Sequence, residues 1–343
     1  MIIKDISIQS KCYNSINRVK SYSMNHQDRY SWIIKITDSD ECIGYGEASP
    51  LPGFNDETFD AAGYALEGFR LAIIENEYIE LDEIMILIQI HTIDAPSASF
   101  AIETAIFDIL SQHQNVGLNK YLNPKALPQI KINGLYKLTS LDNYKVIKIK
   151  CGFRNLYDEV QLLSQLSNKY DSSISFILDL NQAYDLPKAI RFFKEMEQFN
   201  IEYIEQPIDK DNFADLIELQ FHSNIPIALD ESINSINSLH HLLEINCGDV
   251  FIIKPQSMGS FSKIKKAINL IKEANKIPVI TSSLEGIIGR LCSMHLSSAN
   301  IINTCCGLAM EPIYQGEADM IPKITNGLLN ISNKSGLGYH QNK

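Results

Sequence analysis

The spacing of apolar positions changes once along the 343-residue chain, near residue 128. Before that point the runs "KDISIQSKCY", "YSWIIKITD" and "CIGYGEA" come first. They predict a three-stranded antiparallel meander, since successive strand residues face opposite sides. After "PLPGFN" the pattern becomes helical, in "DETFDAAGYALEGFRLAIIENE" and then "SASFAIETAIFDILSQH". Strands followed by helices predict an α+β unit over residues 1–125. No Gly/Ser or Pro-rich linker follows it, and no low-complexity segment interrupts the chain.

Beyond residue 128, short apolar runs alternate with helical patterns. The runs are "IKINGLY", "VIKIKCG", "SFILDLN", "IEYIEQP", "IPIALDES", "VFIIKPQ", "IPVITSS" and "INTCCGLAM". Eight such runs with helices between most of them predict a closed parallel α/β barrel of the (β/α)8 type over 126–315. An open doubly wound sheet is the alternative, but no Gly-rich phosphate loop follows any run. Only "KLTSLDNYK" separates the first two runs, too little for a crossover helix, so the first βα unit is expected to be abbreviated.

One run carries an oddity. In "VIKIKCG", Lys148 and Lys150 share a strand face. A solvated edge strand would explain them, with the lysines discouraging edge-to-edge pairing. A stave of a closed barrel has no free edge, and that explanation then loses its basis.

Composition narrows the partners. A net charge of −11 disfavours nucleic acid and anionic membrane, while a local basic pocket could still take an acidic small molecule. The start "MIIKDISIQS" carries no signal-peptide pattern, and apolar runs such as "IMILI" fall far short of a bilayer span. Seven cysteines without CxxC spacing suggest free thiols in a reducing cytoplasm. The eight histidines form no HxH or HxxxH pair; "HH" at 240–241 reads as helix surface, and no zinc site is expected. Nothing in the sequence sets an oligomeric state.

The barrel runs end on a series of polar residues: Lys150, Asp179, Glu205, Asp230, Lys254 and Ser282. Consecutive members lie 29, 26, 25, 24 and 28 residues apart, about one βα unit each. In a (β/α)8 barrel these strand ends converge on one site. Singly, each has a plainer explanation: a loop carboxylate at Asp179 or Glu205, a helix N-cap at Asp230, a surface lysine at Lys254. Together at one structural period they describe a site. Asp179, Glu205 and Asp230, from three consecutive strands, suit a hard cation with oxygen preference, Mg²⁺ above all, with Mn²⁺ as a substitute. Lysines flank them on both sides. Lys148 beside Lys150, in a partly desolvated mouth, disfavours the charged form of its neighbour, which would let Lys150 act as a base. The metal would stabilise an enediolate formed by loss of an α-proton. The pairing of a lysine base with Mg²⁺ is a stock description of enolase-type sites, so the combination is not new.

These motifs, "KIK", "LDLN", "IEQP", "LDES" and "IIKP" in that order, resemble the enolase superfamily and its muconate-lactonising subgroup. The resemblance implies a modified (β/α)7β barrel under an N-terminal capping domain. The branch with a histidine ending the seventh strand is not matched, since that strand ends "ITSSLEG". Within the subgroup, "GYGEASPLPGFNDET", "SFAIETAIFDIL", "FIIKPQSMGSFSKI" and "ITSSLEGIIGR" are similar to segments of the o-succinylbenzoate synthase family. The segment 316–343, with "NGLLNISNKSGLGY", is then expected to return to the cap. Relatives that racemise N-succinylamino acids share the catalytic pattern. Dipeptide epimerases differ by an Asp-x-Asp on the eighth strand, absent from "CCGLAM".

The implied chemistry is Mg²⁺-dependent syn dehydration of a cyclohexadiene carboxylate in menaquinone biosynthesis, with N-acylamino acid racemisation as the alternative. Lys150 is the implied base and Lys254 an electrostatic partner across the substrate. Asn181 would support metal or substrate, Ser282 and Ser283 would line the mouth, and Pro52, Gly53 and Phe54 would close over the ring.

Overall fold

The computed structural model describes residues 2–14, 28–54, 56–74, 80–170 and 173–339. Its cap begins with the meander β1 (Ile3–Asn14), β2 (Asp28–Asp38) and β3 (Ile43–Ala48), paired antiparallel in that order. Helices α1 (Phe59–Ile74), α2 (Leu81–His91), α3 (Pro96–His113) and the short α4 (Leu118–Leu122) follow. The last residues of the "FRLAIIENE" helical pattern, 75–77, lie outside the described residues.

The cap packs by close backbone contact. A Cβ on Gly44 would lie 2.0 Å from Ala105 O, and one on Gly46 1.8 Å from Ala101 O. Only glycine lets β3 lie flush on α3 at these two points. The "GYG" of "CIGYGEA" is therefore a packing device. Around it Ile34, Ile36, Leu66, Phe69, Ile84, Ile88, Ile102 and Ile106 form the cap's own core.

The barrel sheet holds seven parallel strands. These are β5 (Gly134–Leu135), β6 (Val146–Lys150), β7 (Ser175–Asp179), β8 (Ile201–Glu205), β9 (Ile227–Leu229), β10 (Val250–Ile253) and β11 (Ile277–Ile280), neighbours in chain order. Two single-residue parallel bridges, Ile132 to Cys306 and Thr281 to Gly307, close it. The open doubly wound sheet is thereby excluded.

Two of the eight expected strands differ from the sequence reading. The first run divides: β4 (Gln129–Lys131) leaves the barrel to pair with β13 (Leu328–Asn330), which pairs in turn with β12 (Ile324–Thr325). The eighth shrinks to its two bridges, because left-handed backbone at Ile301 (φ 53°) and Ala309 (φ 48°) bounds the extended stretch. The abbreviated first crossover is a single 3₁₀ turn at Leu141–Asn143.

Regular crossover helices fill the other gaps: α5 (Leu156–Tyr170), α6 (Leu186–Met196), α7 (Phe213–Gln220), α8 (Ile236–Glu244), α9 (Pro255–Met258), α10 (Phe261–Glu273) and α11 (Ile287–Ala299). Helix α6 shows the local logic. Asp185 caps it by accepting from Lys188 N at 3.0 Å, Pro187 sits in its first turn, and Ala189, Phe192, Phe193 and Met196 bury one face at helical spacing. Losing that cap would cost about 1 kcal/mol.

Parity divides each strand. Ile147, Ile149, Phe176, Leu178, Ile204, Phe251 and Ile253 point outward into the core shared with the helices. Ile177, Tyr203, Ala228, Val250, Ile252 and Val279 point inward and fill the lower barrel. The inward positions above them are the polar ones.

The end of the chain ties both parts together. Ile331 N donates to Pro128 O at 3.0 Å beside the β4–β13 pair. Further on, Gly336 bridges to Gly117, Leu337 N donates to Asp108 Oδ1 at 2.8 Å, and Tyr339 meets Tyr45 edge-on at 5.0 Å. No described helix is long and apolar enough to cross a membrane. All seven cysteines are free, and His240 and His241 are exposed.

Candidate active site

Strand register builds the site. Lys150 pairs with Asp179 across β6–β7, and Asp179 with Glu205 across β7–β8. Three charged strand ends therefore stand in one row. Asp230 follows β9 directly and Lys254 follows β10, so the same rim carries both. The inward parity of Lys148 and Lys150 places the lower lysine one layer beneath the upper.

Lys148 Nζ donates to both carboxylate oxygens of Glu205 at 2.7 Å and lies 3.1 Å from Asp179 Oδ2. Its charge is thus matched by two carboxylates, beyond the like-charge neighbour of Lys150 that the sequence suggests. Burial works against the Lys148 ammonium, but Asp179 and Glu205 outweigh it and hold the group well above the usual lysine range. Burial would also raise Asp179, yet Lys148 and Lys150 bring it below the ordinary carboxylate range. Burial, then Asp179, pushes Glu205 up to about 8.

Lys150 Nζ donates to Asn181 Oδ1 at 2.6 Å, and Asn181 Nδ2 donates to Glu231 Oε1 at 3.0 Å. Asn181 also turns its own N–H to Asp179 Oδ1 at 3.2 Å, with left-handed backbone (φ 41°). One residue thus joins the lysine and a second acid through its side chain and a row carboxylate through its backbone N–H. Burial, then Asp230, pushes Glu231 up to about 7.

Lys254 Nζ donates to Asp230 Oδ2 at 2.6 Å and sits 3.9 Å from the centre of the Phe54 ring. Such a cation–π contact contributes about 0.5–2 kcal/mol. Phe54 arrives on a tight turn in which its N–H donates to Leu51 O at 3.1 Å, with Pro52 second and Gly53 third (φ +80°). That is the geometry in which proline and glycine are favoured at those positions. Phe54 is buried, whereas Pro52 and Gly53 are exposed on the outside of the turn. Of the three cap-loop residues, Phe54 makes the contact with the barrel lysine.

Ser282 and Ser283 continue β11. Ser282 N donates to Gly307 O at 2.9 Å, and Ser283 N is taken by Glu285, but the Ser283 Oγ is buried without a partner among the described residues. Sequence reasoning did not single out Glu231 or Gln206. Gln206 is fully buried; its Oε1 accepts from Asp230 N at 2.9 Å and its Nε2 donates to Ser232 Oγ at 2.9 Å. Both follow a selected acid directly or stand beside one, in "IEQP" and "LDES", which is the signal that could have found them.

The acids fit a divalent cation. All three offer oxygen only, all are buried, and Asp230 Oδ1 is buried with no partner among the described residues. They are divided between two lysines, Asp179 and Glu205 on Lys148 and Asp230 on Lys254, and their oxygens do not all lie within 4.8 Å of one another.

Residues 136–343 match the family described as "Enolase C-terminal domain-like". The chain belongs to the enolase superfamily, and its fold is that superfamily's capped, modified barrel. Among curated relatives, it is 26% identical to o-succinylbenzoate synthase of Bacillus subtilis (strain 168), over 92% of this chain and 88% of that protein. It is 25% identical to L-amino acid-D/L-Glu epimerase of Francisella philomiragia, over 89% of this chain and 86% of that protein. The dipeptide epimerase of Enterococcus faecalis V583, solved with Mg and the dipeptide L-Leu-L-Tyr, superposes with a TM-score of 0.86 at 22% identity, over 98% of this chain and 99% of that one.

Proposed function

We propose that this enolase-superfamily enzyme is an o-succinylbenzoate synthase. It would dehydrate 2-succinyl-6-hydroxy-2,4-cyclohexadiene-1-carboxylate to 2-succinylbenzoate, a step of menaquinone biosynthesis. The observation that carries the reading is the convergence of Lys150, Asp179, Glu205, Asp230 and Lys254 on one rim, with a lysine on each side of the acids.

Lys150, as the neutral amine, takes the proton on the carbon bearing the ring carboxylate. The electron pair passes into that carboxylate, giving an enediolate. Lys150, now an ammonium, returns the proton to the hydroxyl leaving from the same face, and water departs as the ring becomes aromatic. Asn181, bonded to Lys150 Nζ, fixes where that amine points. Lys254 lies across the site as a cation, held by Asp230 and roofed by Phe54, and stabilises the developing negative charge. Asp179, Glu205 and Asp230 would hold Mg²⁺, or Mn²⁺ in its place, which when bound supplies charge compensation for the enediolate. Phe54 excludes water from the rim. Ser283, whose hydroxyl has no partner among the described residues, and Ser282 would meet substrate carboxylate oxygens.

One feature favours the lyase over epimerisation of dipeptides. The segment Cys305–Met310 at the eighth stave carries no carboxylate to hold a substrate amine. Glu311, just beyond, accepts from Tyr144 OH at 3.1 Å.

The test uses the purified chain with Mg²⁺. Formation of 2-succinylbenzoate, lost in Lys150→Ala, supports the assignment. No product, together with deuterium exchange into both enantiomers of N-succinylamino acids, would replace it with the racemase.

A further inference from the structure

Away from the barrel rim, three side chains from two layers of the cap meet. Asp38 ends β2, Cys42 precedes β3, and His113 is the last residue of α3. One ligand atom from each lies within 4.8 Å of the other two. No sequence spacing announces this group, because His113 is distant in the chain and reaches the turn only through the packing of α3 on β3.

The turn is already organised. Asp38 Oδ1 accepts from Asp40 N at 3.0 Å and from Cys42 N at 2.9 Å, and Asp38 N donates to Cys42 O at 3.1 Å. Those bonds leave Asp38 Oδ2 for His113 Nε2, at 2.5 Å. Asp38 is only 2% exposed, and among the described residues it meets no lysine or arginine. A buried carboxylate bonded to an imidazole, with a thiol alongside, has the composition of a metal site.

The donor types select the metal. One thiolate, one imidazole and one carboxylate suit Zn²⁺ and its neighbours in the first transition row, while Mg²⁺ takes oxygen. Zinc bonds of about 2.0–2.3 Å imply tetrahedral edges of about 3.3–3.7 Å. The present separations are close enough for side-chain rotation to supply that geometry.

We propose that Asp38, Cys42 and His113 form a second metal site, separate from the barrel rim, which takes a zinc-class divalent ion with water completing the shell. Bound metal would join the β2–β3 turn to the end of α3, the helix whose Asp108 also anchors Leu337 of the C-terminal segment.

Co²⁺ is the probe, added to the full-length chain in excess Mg²⁺ so that the oxygen-only acids of the rim are occupied. The expected result is a thiolate-to-cobalt charge-transfer band in the near ultraviolet that saturates at one equivalent and is displaced by Zn²⁺. Cys42→Ser abolishes the band and Cys12→Ser, at the other cysteine of the meander, leaves it intact. His113→Ala weakens binding by about 10-fold or more. Circular dichroism of each variant without Co²⁺ separates lost ligation from lost folding. No band in the wild type, or a band that survives in Cys42→Ser, would overturn the site.

Discussion

The barrel interior holds two layers built from the same strands at the same inward parity. Below, Ile177, Tyr203, Ala228, Val250, Ile252 and Val279 pack as an apolar plug. Two residues further along, Asp179, Glu205, Asp230, Lys254 and Thr281 take their places, with Lys148 at the boundary and Lys150 above it. One pleat step converts a core into a charged chamber. The plug makes the chamber affordable in structural terms. It excludes water from beneath, so the ion pairs of Lys148 and Lys254 act in a low dielectric and hold the acids in place. It also makes the charges costly to leave unmatched, which is why Lys148 and Lys254 each touch a carboxylate.

Substitutions in the two layers should therefore separate activity from stability. Lys150→Ala, in the upper layer, is expected to lower 2-succinylbenzoate formation by about 10³-fold or more, with little change in the urea midpoint. A variant keeping more than a tenth of the rate would remove Lys150 from the role of base. Ile252→Ala, in the lower layer, should cost about 2–5 kcal/mol of stability in urea unfolding. Its rate per folded molecule should stay close to wild type; a large loss of rate would mean that the plug shapes the chamber as well as supporting it.

In the outer helix α11, His295 gives a stability signal independent of the rim. Asn119 N donates to its Nδ1 at 3.1 Å, and its Nε2 faces Leu337 O at 3.2 Å, so the ring is neutral with the proton on Nε2. Burial brings its pKa down from 6.5 to about 4. Because the folded value is depressed, the contribution is fully present above pH 6.5 and is lost as pH falls towards 4, by about 3 kcal/mol in all. His295→Gln should flatten the pH dependence of stability across that window. An unchanged slope would show that the buried imidazole is not what titrates. The smallest effect is expected at the roof: Phe54→Leu keeps an apolar cover but loses the contact with the Lys254 ammonium, and should lower the rate by about 10-fold or less. A rate equal to wild type would confine Phe54 to packing.

Much of this arrangement was legible along the chain. The meander, the strand–helix alternation and the spacing of Lys150, Asp179, Glu205, Asp230 and Lys254 are local or periodic facts, and periodicity is what a sequence displays. The abbreviated first crossover was legible for the same reason, since nine residues cannot hold a helix and its turns. The reduced eighth stave was not. "INTCCGLAM" has strand composition, but left-handed backbone at Ile301 and Ala309 decides its length.

What the sequence by itself determined was which residue types recur at one βα period, and hence the kind of chemistry they can perform. Only the tertiary structure decided their partners. It gave Lys148 to Asp179 and Glu205, Asn181 to both Lys150 and Glu231, Phe54 to Lys254, and His113 to Asp38 and Cys42. Spacing along a strand selects a face, whereas a partner is selected by whatever the closed barrel and the packed cap bring within a few ångströms of that face.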